Sequence, residues 1–93
     1  MEIIDLNKEE LLSDFVEKLP EIRKKLGISQ GELGEKVGLS RQSISSIERG
    51  IVQLSWNNFL AIALVVFVND SSIFEDMLKD ERYSTVIESL KTN

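Results

Sequence analysis

Residues 26–50 read LGISQGELGEKVGLSRQSISSIERG, and this stretch decides the fold. Ser29 is a good helix N-cap, and Glu32 follows three residues later at the capping-box position. The spacing predicts a helix over Gln30–Val37, with Leu33 and Val37 inward at i, i+4. Gly38 punctuates it, Leu39 precedes a second N-cap at Ser40, and a second helix runs over Arg41–Glu48 until Gly50 closes it. Helices of about eight residues are marginal alone, so tertiary packing must support both. Turned at about 100° per residue, the second helix gathers Ser43, Ile44 and Ile47 on a buried side. The opposite side holds Gln42 and Arg49, flanked by Ser45 and Ser46, with Arg41 at the edge in the first turn. Glu48 falls on the border of the buried side, where it needs a cationic partner.

The free side has a specific chemistry. A Gln amide pairs bidentately with adenine and an Arg guanidinium with guanine in the major groove, each good pair giving about 1–3 kcal/mol of discrimination. Small serines let a helix approach the base edges closely, and no acid stands on this face to repel phosphates. Taken singly, Arg41, Arg49 and Gln42 are equally well read as solvated surface residues. The sorting of polar and core side chains to opposite faces is what favours the functional reading.

Charge points the same way locally and the opposite way globally. The 93 residues carry 11 Lys+Arg against 16 Asp+Glu, a formal net charge of -5. Residues 22–50 nevertheless hold six cations and three anions, whereas residues 1–21 sum to -5 and residues 51–93 to -3. Global acidity argues weakly against nucleic acid, but phosphates would meet the basic block first if the acidic flanks face elsewhere. An ordinary solvated charge mosaic would give the same sums.

Outside this block the chain reads as more short helices. Asn7 caps a first helix with Glu10 at the capping-box position, and Leu12, Phe15, Leu19, Ile22 and Leu26 recur at helical spacing until Gly27. Pro20 predicts a kink or break near Leu19, or the first residue of a new helix. Ser55 caps a fourth helix whose Trp56, Phe59, Leu60, Ala63 and Phe67 share one face. Ile73, Phe74, Met77 and Leu78 suggest a fifth, and Tyr83, Val86, Ile87 and Leu90 mark a sixth. Sustained alternation is absent, and Met1–Leu6 reads as a short extended arm.

The combination of Ser29-Gln30, Leu33, Gly38, Ser40-Arg41, Ile44, Ile47-Glu48 and Gly50 resembles the lambda-repressor and Cro type of helix-turn-helix, also called the xenobiotic-response-element family of bacterial and phage regulators. The resemblance runs from about Leu19 to Phe67. It implies an all-α, compact bundle of five to six short helices in a single domain over 1–93. Within it, 1–18 form an acidic N-terminal extension and the start of the first helix, 19–68 the core, and 69–93 the C-terminal helices. It implies base contacts from Arg41, Gln42, Ser45 and Ser46. Phosphate contacts would come from Gln30, Ser40, Ser43, Arg49 and Lys25, with Gln30 also bracing Gln42. Arg23 and Glu48 would form a structural ion pair. Three departures stand out: Gly34 where the family usually has Ala, at a helix-propensity cost of about 1 kcal/mol; the apolar loop Ile51-Val52-Gln53-Leu54 in place of a polar, often basic one; and the acidic N-terminal extension.

The function expected is that of a sequence-specific DNA-binding transcriptional regulator, a dimeric repressor placing the helix Arg41–Glu48 in the major groove of double-stranded operator DNA. Dimerisation would use the nearly all-apolar helix at 55–68 and the C-terminal helices, since a helix apolar all round must be covered. The alternative is a protein-interaction module, antitoxin-like or an antirepressor partner, on the same fold. With no Cys and no His, thiolate or imidazole metal sites and His-based nucleophilic mechanisms are excluded. No enzyme activity, metal or cofactor is expected, and neither is a membrane partner: the longest apolar run, Phe59–Val68, is too short to span a bilayer, which takes about 20 residues. The expected location is cytoplasmic.

Overall fold

The structure, a computed structural model, describes residues 7–92, save the side chains at 82, 85 and 86. Six helices follow one another: α1 Lys8–Leu26, α2 Gln30–Val37, α3 Arg41–Glu48, α4 Trp56–Asn69, α5 Ser72–Leu78 and α6 Glu81–Leu90. There is no strand among the described residues. Residues 1–6, read as an extended arm, lie outside them, as does the side chain of Val86.

The helix boundaries follow local chemistry. Asn7 Oδ1 accepts from the Glu10 N–H, Ser40 Oγ from the Ser43 N–H and Ser55 Oγ from the Asn58 N–H, at 2.9, 3.0 and 3.1 Å. Ser29 and Glu32 form the full reciprocal capping box. Gly27 and Gly38 end α1 and α2 in the left-handed conformation, where glycine carries no β-carbon penalty.

Pro20 neither breaks α1 nor starts a new helix, two of the outcomes the sequence allowed. The helix runs through it from Lys8 to Leu26. Leu12, Phe15, Leu19 and Ile22 are all buried on one face spanning both sides of the proline. Burial of each is worth about 1.5–3 kcal/mol, which outweighs the roughly 3 kcal/mol cost of an interior proline.

Phe15, fully buried, is the hub of the core. Its ring meets Phe59 of α4 edge-on at 5.0 Å and stacks on Phe74 of α5 at 5.8 Å. Leu33, Ile44, Ile47, Leu54, Ile62, Val66, Ile73 and Met77 complete the cluster. The phase of α4 differs from the expectation. Phe59, Ile62 and Val66 face inward, while Leu60 and Phe67, read as sharing one face with Phe59, are exposed together with Leu64 and Val68. A helix without a polar side carries no rotational signal, so only packing sets its phase. Leu90 of α6 is likewise exposed, while Tyr83 is buried and donates from its hydroxyl to the Asp14 carboxylate of α1. Among the described residues no single helix is long and apolar enough to cross a membrane, and α4 and α5 meet at 116°.

Gly34 has a stronger role than its propensity suggests. A β-carbon there would stand 2.3 Å from the Leu39 carbonyl oxygen, in the turn between α2 and α3. The missing side chain lets that turn close onto α2, where the Leu39 N–H donates to the Gly34 carbonyl at 2.9 Å. Gly34→Val is therefore expected to cost about 1–3 kcal/mol, as overpacking does, and to lower the melting temperature measured by circular dichroism. An unchanged midpoint would show that the turn opens freely.

Candidate nucleic-acid interface

The third helix is held from below by two apolar anchors and at its end by an ionic one. Ile44 and Ile47 are buried in the core. At the C-terminal end the Arg23 guanidinium of α1 grips the Glu48 carboxylate bidentately, Nε donating to Oε2 at 2.6 Å and Nη2 to Oε1 at 2.9 Å. Such fork-to-fork pairs fix orientation as well as distance. The Glu48 side chain is 5% exposed and that of Arg23 16%. Arg23 Nη1 also donates to the Ile28 carbonyl in the α1–α2 turn at 3.3 Å, and Gln30 Nε2 of α2 donates to Glu48 Oε1 at 3.0 Å. One carboxylate thus ties together the first three helices.

The outward side presents Arg41, Gln42 and Arg49 exposed, with Ser45 and Ser46 half-buried between them and the core. The stem of Arg41 lies beside Gly31, where an added β-carbon would stand 3.9 Å from its Cβ and Cδ. The Ser40 hydroxyl donates to Ser43 Oγ at 2.9 Å while accepting the Ser43 N–H. Its single proton is thereby used, and Ser43 is the hydroxyl of the pair left to donate outward.

One side-chain partner differs from the expectation. Gln30 does not brace Gln42; its amide is drawn to the charged acceptor Glu48, a stronger partner than another amide. Lys25, expected to meet the DNA backbone from α1, lies on another side of that helix from Arg23. It lines a small depression with Ile73, Asp76 and Met77 of α5, since it stands about 200° around α1 from Arg23.

A groove of about 280 Å³ runs beside the exposed face, with Ser40, Gln42, Ser43 and Ser46 on one wall and Gln53, Ser55 and Asn58 on the other. Gln53 and Asn58 went unnoticed in the sequence because they sit in an apolar loop and an apolar helix. Their isolation as amides in those surroundings was the available signal. Among the described residues no group of three or more carboxylates is arranged to hold a metal ion.

Comparison with known proteins places this architecture. A family model described as helix-turn-helix matches residues 21–69. Over 33 residues, 36% of this chain, the sequence is 48% identical to the uncharacterized HTH-type transcriptional regulator YgzD of Bacillus subtilis (strain 168). That match spans half the length of the relative. No solved structure matches the chain significantly.

The ion pair also sets a pH dependence. Burial resists ionisation of Glu48, but the hydrogen bonds from Arg23 and Gln30 and the nearby positive charge outweigh it and hold the carboxyl below its ordinary value of 4.5. The Arg23 guanidinium is raised by its hydrogen bond to Glu48. Because the folded-state value of Glu48 is depressed, its stabilisation is fully present above the unfolded value and is lost as pH falls through the folded one. Thermal melts are expected to show that component disappearing below about pH 4.5 and missing in Glu48→Gln. At neutral pH, Arg23→Ala should cost about 3 kcal/mol, since it leaves a largely buried carboxylate unpaired. Equal acid sensitivity in wild type and Glu48→Gln would exclude this coupling.

Proposed function

The chain belongs to the helix-turn-helix family of the lambda-repressor and Cro type, and from that premise we propose that it is a cytoplasmic, sequence-specific DNA-binding transcriptional regulator whose α3 reads the major groove. The observation that carries this reading is the solvent face of α3. It is exposed, acid-free and furnished with Arg41 and Gln42, while the inner face is locked by Ile44, Ile47 and Glu48. Arg41 and Gln42 address base edges, with Ser45 and Ser46 allowing close approach. Ser43, Gln30 and Arg49 address the phosphates with their side chains and Ser40 with its backbone N–H, joined by Gln53 and Asn58 across the groove. The name of the Bacillus subtilis relative, a transcriptional regulator, agrees with this assignment.

We further propose that the protein acts as a homodimeric repressor. Leu60, Leu64, Phe67 and Val68 lie at i, i+4, i+7, i+8 on α4 and form one exposed apolar stripe, which favours self-association. No charged residue occurs from Gly50 to Asn69, so pairing this stripe with its copy desolvates no charge there. Two copies related by a two-fold axis would read half-sites about 34 Å apart. Occupancy of a promoter suffices for repression, whereas activation requires a further contact with the transcription machinery.

Selection from random duplexes followed by gel-shift titration tests the DNA reading. A defined site should emerge, and Arg41→Ala combined with Gln42→Ala should weaken it by about 2–6 kcal/mol, which is two such contacts. Absence of any preferred sequence, with a stable protein partner recovered instead, would favour the interaction-module alternative. Leu64→Asp with Phe67→Asp is expected to yield a folded monomer by sedimentation equilibrium and to abolish cooperative occupancy of a two-half-site operator. A monomeric wild type would refute the dimer.

A further inference from the structure

The loop after α3 carries two exposed apolar side chains, Ile51 at 65% and Val52 at 51%. They are held rather than loose. The Ile51 and Val52 N–H groups both donate to the Ser46 carbonyl, at 2.9 and 3.3 Å, and the Gly50 N–H to that of Ile47 at 3.0 Å. Gly50 makes the reversal with φ +74°. The loop is therefore a rigid extension of the reading helix, and a contact made by it costs little ordering entropy.

Of the two side chains, only Val52 reaches the groove beside α3. Val52 lines both the groove that Gln42 and Ser46 also line and the depression on the α1 side with Glu9 and Leu12, whereas Ile51 lines only that depression. Val52 thus shares one concavity with the amide proposed to read a base. No cation stands between residues 50 and 69, so this side of the groove offers DNA no phosphate ion pair. The apolar feature that DNA displays in its major groove is the C5-methyl group of thymine.

We propose that Val52 is a specificity-determining residue that packs against a thymine methyl next to the base read by Gln42. The inference rests on the DNA-reading function proposed above. It makes the apolar loop an extension of the readout surface, one that favours an A·T pair at the position it covers.

The test uses the full chain and its selected duplex, with each thymine replaced in turn by deoxyuridine, which lacks only the methyl group. Wild type should lose roughly three- to fivefold in affinity at one thymine of each half-site, the scale of one buried methyl. Val52→Ala should bind the unmodified duplex correspondingly more weakly and show no further loss at that deoxyuridine. Val52→Thr, which keeps one methyl, should fall between, and it serves if the alanine variant is unstable. Indifference of wild type to every replacement, or an undiminished deoxyuridine penalty in Val52→Ala, would overturn the inference and leave the DNA-reading function standing. Failure of wild type to select any duplex would remove both.

Discussion

The Glu48 carboxylate is the constraint on which the rest of the interface depends. An eight-residue helix has too few internal hydrogen bonds to hold its own direction. Ile44 and Ile47 set how deeply α3 sinks, but two apolar contacts leave it free to roll and slide. The bidentate grip of Arg23, with the third bond from Gln30, removes that freedom. Orientation matters because base readout requires hydrogen-bonding tips to be placed within a fraction of an ångström. An ion pair of this kind contributes less to net stability than to register, since desolvation offsets much of its attraction.

The same lock explains how an acidic chain can present a face suited to phosphates. Glu48, the acid of α3, is neutralised and turned inward, leaving Arg41 and Arg49 as the charges α3 and its cap show to solvent. The acidic side chains of the first turn of α1 and those of α5 and α6 belong to other elements. At physiological salt, charges more than about 8 Å apart are largely screened where exposed. The local arrangement therefore governs what a nearby phosphate meets, more than the sum of -5.

Apolar surface is distributed in two places of different character. The stripe on α4 is a consequence of a helix too hydrophobic to be covered on every side by the helices packed against it. The loop pair Ile51 and Val52 is instead pinned by the carbonyl of Ser46 and travels with α3. A stripe along a helix offers a broad apolar surface, whereas a rigid two-residue protrusion beside polar side chains offers a small, shaped one.

Much of this was legible in the sequence because the signals were local. Capping residues at Asn7, Ser29, Ser40 and Ser55, and glycines at 27 and 38, mark helix ends through bonds made within three or four residues. The sorted faces of α3 followed from 3.6-residue periodicity, and Arg23 with Glu48 came from the resemblance to a known family. Tertiary structure alone decided what was non-local. It settled the phase of α4, where uniform hydrophobicity erases the periodic signal, and carried α1 through Pro20, because a buried face spans the break. It turned Gln30 toward Glu48 rather than Gln42 and set Lys25 beside α5. In each case the energy that decides comes from a partner distant in sequence, which no local pattern records.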